Sequence, residues 1–318
     1  MDYLHVGVLI FIGMASGAVF TKLIIPVLKK AHTGQTIREE GPSSHQTKAG
    51  TPTMGGIGFI AAVTFTCLLT CEISRGLVGI LTVFILFGLL GFLDDYLKVI
   101  KKHNLGLRAW QKLAFQVIMG MAIAIYQLSV SIYGTMVRIP VIDELWDFGW
   151  WYVPFNAFII VAMVNSVNLT DGLDGLAAGV TSIVALFFAV TGTLLGMSSG
   201  GNFCAALAGA CFGFLIFNKY PAKVFMGDTG SLALGGGLAA AAIVMGMELF
   251  LPIVGFVYVA EALSVIIQVV SFKTVGKRVF KMSPLHHHFE LSGMSERQVV
   301  RLFWVATVLF CITGLYLL

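Results

Sequence analysis

Ten apolar stretches, each close to the length of a membrane-spanning helix, dominate this chain of 318 residues. A helix needs about 20 apolar residues to cross the hydrocarbon core of a bilayer, and there it satisfies its own backbone hydrogen bonds. The pattern therefore predicts an all-α integral membrane protein with about ten transmembrane helices, forming a single polytopic domain over residues 1–318. The stretches lie at 4–28, 54–71, 77–93, 109–131, 149–168, 176–197, 203–217, 229–247, 250–272 and 299–318.

The small number of charged residues excludes other classes of protein. Only 11% of the residues are charged, whereas an ordinary soluble domain carries about 25%. So few charges cannot cover the surface of a soluble protein of this size. The same composition excludes a disordered chain, a nucleic-acid-binding protein and a disulfide-stapled secreted domain.

Lysine and arginine residues lie on one side of the predicted membrane. If the N-terminus is outside, the cytoplasmic loops and the adjoining span ends carry 18 of the 20 basic residues, and only Arg75 and Arg138 lie on the other side. Because Lys and Arg accumulate in cytoplasmic loops, this distribution predicts that both termini face outside.

Five aspartates lie at the cytoplasmic ends of the predicted spans. Carboxylates at a membrane face, surrounded by basic residues, are typical of a site that holds a metal ion and an anionic substrate. We therefore expect an active site at the cytoplasmic face. The five residues are Asp94, Asp95, Asp171, Asp174 and Asp228.

Asp94 and Asp95 end the third apolar stretch, where the negative end of the helix dipole disfavours them. Adjacent side chains on a helix point about 100° apart, so we expect the two carboxylates to have different roles. One interpretation is a ligand for a hard cation, or a base that handles a phosphate proton. The other is a simple ion pair with Lys98.

The segment 165–176 carries Asn165, Asn168, Asp171 and Asp174 together with two glycines. Polar residues at steps of three drift around an unbroken helix, and the glycines indicate that one helix ends and another begins here. Asp174 could serve only as a helix cap. We favour a nucleoside or phosphate pocket, because the segment is more polar than capping requires.

Asp228 and Thr229 lie at the start of the eighth apolar stretch and would suit a helix cap. The alternative is that Asp228 binds Mg²⁺ while the helix N-terminus and nearby lysines hold phosphate.

His286, His287 and His288 form a loop between the last two stretches. Consecutive residues rarely supply three ligands to one ion, so we favour phosphate contacts over a zinc site. Glu261, inside the ninth stretch, needs a partner there, which the sequence does not identify.

The first cytoplasmic loop contains Lys48 and is rich in Gly, Pro, Ser and Thr. It reads either as a turn-rich linker or as an anion-binding loop in which Lys48, the hydroxyl groups and the Gly55-Gly56 backbone face a phosphate.

Together, these motifs resemble the bacterial phospho-N-acetylmuramoyl-pentapeptide transferases, of the polyprenyl-phosphate N-acetylhexosamine-1-phosphate transferase superfamily. The match runs in order over nearly the whole chain. The segments that carry it are the Lys48 loop with 51–56, the pair 94–95, and the runs 168–175, 226–231 and 284–290.

The resemblance implies a Mg²⁺-dependent enzyme of peptidoglycan synthesis in the bacterial cell membrane, usually a homodimer. Such enzymes transfer phospho-MurNAc-pentapeptide from UDP-MurNAc-pentapeptide to undecaprenyl phosphate, a membrane lipid, and release lipid I and UMP. Direct attack of the lipid phosphate is the favoured mechanism, and an aspartyl-phosphate on Asp94 is the alternative.

The resemblance also implies roles for residues. Asp228 would bind the metal, and Asp94, beside Asp95, would be the catalytic carboxylate. Phe225 would stack on uracil. The catalytic candidates are Asp94, Asp95, Asp228, His286, His287 and His288. The candidates for substrate binding are Lys48, Thr53, Lys112, Asn165, Asn168, Asp171, Gly172, Leu173, Asp174, Asn218 and Phe225.

Two alternative functions stay open. A related enzyme transfers N-acetylglucosamine phosphate from UDP-N-acetylglucosamine to the same lipid, and the His286–His288 loop argues against it. A transporter of nucleotides or lipid-linked precursors would place polar groups near the middle of the membrane, where this chain has little besides Glu261.

Overall fold

The computed structural model describes residues 3–31, 50–99, 106–130, 134–142 and 144–318. The apolar stretches form helices, with 250–272 divided between two of them, and this confirms the all-α, multi-span prediction. Nine helices in these ranges are long and apolar enough to cross a membrane, and α2, with 15 residues, is shorter. The helices are α1 (Tyr3–Lys30), α2 (Gly56–Thr70), α3 (Arg75–Val99), α4 (Ala109–Val130), α5 (Tyr152–Thr170), α6 (Leu176–Leu194), α7 (Ser198–Asn218), α8 (Gly227–Val244), α9 (Leu251–Val254), α10 (Phe256–Val275), α11 (Leu285–Glu290) and α12 (Glu296–Tyr316).

The helices differ in how far the protein surrounds them. The most apolar part of α8 is 83% buried, whereas that of α10 is 22% buried. A helix that is apolar on all sides is buried in the protein or faces lipid, so α8 lies at the centre of the bundle and α10 presents most of its surface to the bilayer.

Glycines let α1 and α7 approach closely. A methyl group on Gly213 would lie 2.3 Å from the carbonyl oxygen of Met14, and one on Gly17 would lie 2.6 Å from that of Ala210. Since lipid gives apolar helices no hydrophobic reason to associate, close packing at small residues holds such helices together.

Gly91 brings α3 against the start of α8. A methyl group there would lie 2.1 Å from the carbonyl oxygen of Asp228, so only glycine allows this approach. Asp94 and Asp95 follow Gly91 by one turn on α3 and are thereby carried to the N-terminus of α8.

A short β-hairpin joins α4 to α5, between two of the apolar stretches. Strands β1 (Met136–Ile139) and β2 (Glu144–Asp147) pair antiparallel, with Met136 opposite Asp147.

We expect Gly213→Ala to destabilise the protein by about 1–3 kcal/mol, because the added methyl group has to push backbone atoms apart. Gly7→Ala on α1 is the matched control, since no atom lies within 4 Å of the position its methyl group would take. Thermal unfolding in detergent measures both variants. Equal midpoints would show that the close approach of α1 and α7 contributes nothing to stability.

Candidate active site

Two carboxylates and two lysines meet where α3, α4 and α8 come together. Lys98 Nζ lies 2.5 Å from Asp94 Oδ2 and 3.0 Å from Asp228 Oδ2. Lys112 Nζ lies 2.6 and 2.9 Å from the same two oxygens. The side chain of Asp94 is fully buried, and its other oxygen accepts a hydrogen bond from Leu107 N at 2.7 Å. The cluster therefore contains two negative and two positive groups in mutual contact.

Asn168 connects α5 to this cluster. Its Nδ2 donates to Asp228 Oδ1 at 2.9 Å and to Ser231 Oγ at 2.8 Å. Both carboxylate oxygens of Asp228 are therefore engaged, one by an amide and the other by two ammonium groups.

Asp95 has a separate role, as the angle between adjacent side chains predicted. Its carboxylate accepts hydrogen bonds from Asp228 N at 3.1 Å, Thr229 N at 2.9 Å and Thr229 Oγ1 at 2.7 Å. These N–H groups belong to the first turn of α8, which has no partner for them within the helix. Asp95 thus caps α8 from a neighbouring helix.

The interpretation of Asp228 or Thr229 as the cap of α8 is wrong. The helix begins at Gly227, and no side chain at its N-cap position, Met226, makes a capping hydrogen bond. The carboxylate of Asp228 faces the lysines instead.

The predicted helix break at 171–175 is confirmed. Helix α5 ends at Thr170 and α6 begins at Leu176, with Gly175 at φ +80° between them. Asp174 is not the cap of α6, because Gly175 occupies the N-cap position and no side chain caps the helix. Instead, Asp174 Oδ2 accepts a hydrogen bond from Ala222 N at 2.9 Å.

Asn218 ties this turn to the segment before α8. Its Oδ1 accepts from Gly175 N at 3.1 Å, and its Nδ2 donates to Val224 O at 2.9 Å. Phe225 is half-buried and lies on the same segment. Its backbone N–H donates a hydrogen bond to Pro52 O, and its carbonyl oxygen accepts one from Gly55 N.

Asp171 lies in the turn, outside the membrane-spanning helices. The surrounding protein withdraws its carboxyl from water, and the charges of Asp228, Asp95 and Asp174 add to that effect, so the pKa of Asp171 is raised well above its usual range.

The three histidines do not converge. Nδ1 of His287 contacts Glu290 at 2.9 Å, and Nδ1 of His288 accepts from Lys281 N at 3.2 Å. His286 is 1% exposed, and its ring lies against Gly172. The imidazoles thus have three different partners, which agrees poorly with one zinc ion.

The remaining candidates differ in placement. Thr53 is buried beside Gly227, where a methyl group would lie 2.8 Å from the hydroxyl oxygen of Thr53. Leu173 is buried in the core. Asn165 has partners other than the aspartates, because its Nδ2 donates to Gln116 Oε1 and to Val161 O, both at 2.7 Å. Lys48 lies outside the described residues.

The candidate set omits three residues that the structure brings to the site. Lys98 and Ser231 contact Asp228 and Asn168, respectively, and Thr229 contacts Asp95. The sequence does indicate a contact between Lys98 and Asp94, because the two residues are four positions apart on one helix face.

The donor chemistry of the cluster suits a hard cation. Asp94 and Asp228 direct one carboxylate oxygen each at the same two ammonium nitrogens, so this position already attracts positive charge. Carboxylate oxygens are the protein ligands that Mg²⁺ prefers, usually one or two with water and phosphate completing the shell. Among residues with described side chains, no three His, Cys, Asp or Glu form a metal-binding group.

Comparison with known proteins identifies the family to which this chain belongs. A profile of glycosyl transferase family 4 matches residues 77–246, which include the helices of the cluster. The chain belongs to this family.

Curated relatives narrow the family further. Proteins named phospho-N-acetylmuramoyl-pentapeptide-transferase from Thermoanaerobacter sp. (strain X514) and Heliobacterium modesticaldum are each 51% identical, over 96% of this chain and 95% of theirs. The protein of that name from Alkaliphilus oremlandii is 52% identical, over 96% of both chains. The chain is therefore a multi-pass bacterial membrane protein of the phospho-N-acetylmuramoyl-pentapeptide-transferase family.

We expect Asp95→Asn to destabilise the protein by about 1–3 kcal/mol, because the amide NH₂ would face N–H donors of α8 and leave one of them unpaired. Asp171→Asn is the control: it resembles the protonated form that the raised pKa of Asp171 favours, and it removes no acceptor from α8. Thermal unfolding compares the two. A loss of stability for Asp171→Asn as large as for Asp95→Asn would contradict the capping role.

Proposed function

We propose that the protein transfers phospho-MurNAc-pentapeptide from UDP-MurNAc-pentapeptide to undecaprenyl phosphate, giving lipid I and UMP. The observation that carries this proposal is the 51% identity, over nearly the full length of both chains, to relatives named for this transfer. The cluster of aspartates and lysines supports it, because phosphoryl transfer depends mainly on positioning and on neutralising charge.

Lys98 and Lys112 supply the positive charge in this proposal. Both ammonium groups contact the aspartates, and both are partly exposed, at 36% and 21%. A bound diphosphate would compete with Asp94 and Asp228 for these ammonium groups. The lysines would then hold the phosphate oxygens while staying next to the carboxylates.

Direct displacement needs the fewest steps. An oxygen of the lipid phosphate attacks the phosphorus that bears the sugar, a new P–O bond forms, and the P–O bond to UMP breaks. Asp94 would position the acceptor through Lys98 and Lys112, with which it shares contacts. An aspartyl-phosphate on Asp94 remains the alternative, although its buried carboxylate already accepts from Leu107 N.

Mg²⁺ is part of the proposal, with Asp228 as its main ligand and Asp94 beside it. When bound, the ion would neutralise the diphosphate. The nucleotide would lie along the turn at 171–175 and the segment before α8, near Asp171, Asp174 and Phe225. Asn218 supports this placement, because it holds the two segments together. Lys48, by family resemblance, would complete the pocket.

We further propose that both termini face outside, that the site faces the cytoplasm, and that the protein is a homodimer. The distribution of Lys and Arg supports the orientation. One substrate is a cytosolic nucleotide and the other a membrane lipid, so the reaction requires the inner membrane face. The dimer rests on family resemblance.

We expect the purified protein to release UMP from UDP-MurNAc-pentapeptide when undecaprenyl phosphate and Mg²⁺ are present, and to release none from UDP-N-acetylglucosamine. Chromatographic measurement of UMP with each donor tests this. Release from UDP-N-acetylglucosamine alone would favour the related transferase. No release from either donor, together with nucleotide uptake into proteoliposomes, would favour a transporter.

We expect Asp228→Asn to retain its fold and to lose nearly all turnover. Asn keeps an oxygen for the amide of Asn168 but brings no negative charge to Mg²⁺ or to the lysines. UMP release over a Mg²⁺ titration measures the effect, and Asp147→Asn, at an exposed aspartate in the hairpin, is the control. Near-normal turnover with unchanged Mg²⁺ dependence would exclude Asp228 as the main ligand.

A further inference from the structure

A carboxylate inside the bundle meets one of the three histidines. Glu261 on α10 is fully buried, and its Oε2 lies 3.1 Å from Nδ1 of His286, which is 1% exposed. The two groups lie at ion-pair distance, and neither side chain has a hydrogen-bond partner among the described residues. Because an isolated carboxylate inside a membrane protein is costly, this contact is the compensation available to Glu261.

The opposite edge of the His286 ring faces the turn between α5 and α6. A methyl group on Gly172 would lie 2.2 Å from Nε2 of His286, so the nitrogen reaches the backbone next to Asp171. One nitrogen of the ring is thus directed at Glu261 and the other at the turn where the proposed nucleotide pocket lies.

We infer that Glu261 is a positioning residue for His286. Its carboxylate holds Nδ1 and thereby directs Nε2 at the turn 171–175, where the imidazole contacts the phosphate-bearing part of the substrate. A carboxylate that binds the second nitrogen of a functional histidine fixes the orientation and tautomer of the ring. The inference rests on the proposed function, because it assigns His286 a contact with that substrate.

The location of His286 explains why such a partner is needed. Helix α11 has six residues, and so short a helix has little stability of its own. The neighbouring rings of His286 and His287 are 4.2 Å apart, which constrains the ring on one side only. Glu261 anchors the ring to α10, a 20-residue helix.

A double-mutant cycle tests the inference. We expect Glu261→Gln to lower kcat/KM for UMP release by about 10-fold, the lower end of the effect of removing such a partner. His286→Asn should cost more. In the His286→Asn background, Glu261→Gln should change kcat/KM by less than about twofold, because the group through which it acts is gone.

Glu248 provides the matched control. It is also fully buried and lies in the turn between α8 and α9. Glu248→Gln should leave kcat/KM unchanged in both backgrounds. Glu261→Asp, which keeps the charge on a shorter side chain, should fall between wild type and Glu261→Gln, and thermal unfolding confirms that each variant is folded.

Equal losses from Glu261→Gln in both backgrounds would overturn the inference, since they would indicate a general structural role. No loss in the wild-type background would overturn it as well.

Nitrogen-15 NMR of labelled histidines gives a readout that does not require turnover. The signal that disappears in the His286→Asn variant is assigned to His286. In the wild type, this signal should show a protonated Nδ1, and it should shift in the Glu261→Leu variant. An unshifted signal would overturn the inference, whereas the absence of UMP release by the wild type would overturn the proposed function.

Discussion

The capping of α8 by Asp95 is the interaction on which the rest of the site depends. Three hydrogen bonds join a carboxylate near the end of α3 to the first turn of α8, and the two helices meet there because Gly91 has no side chain. The same contact turns the adjacent Asp94 toward the lysines. A helix N-terminus carries partial positive charge, so the arrangement stabilises a carboxylate that its own helix dipole disfavours.

Charge balance explains why so polar a cluster is stable at the end of a membrane bundle. Buried charges are tolerated when they are paired and hydrogen-bonded, and Asp94 and Asp228 share both Lys98 and Lys112. The pairs are not closed to solvent, because the lysines remain partly exposed. In the proposed function, a cation would take the place of an ammonium group beside Asp94 and Asp228, and the released lysine would bind a phosphate.

Local sequence patterns predicted the helices, the break at 171–175 and the separate roles of Asp94 and Asp95, since each depends on neighbours along the chain. They did not predict that Asp95 caps a helix more than 130 residues away, that Asn165 pairs with Gln116, or that Glu261 contacts His286. Those contacts depend on how helices are arranged around one another, which periodicity does not specify. For the same reason, the sequence alone does not decide whether Asp228 caps α8 or binds a metal ion.

In this bundle, a residue's role follows from the kind of partner it has. Asp95, Asp174 and Asn218 contact backbone groups, so they fix the positions of helices and turns. Asp94 and Asp228 contact side-chain ammonium groups, which in the proposed function would move to a bound phosphate. Because few polar groups are available inside such a chain, rigid backbone anchors and exchangeable side-chain pairs have to lie side by side. The adjacent residues Asp94 and Asp95 show both roles within one turn of a helix.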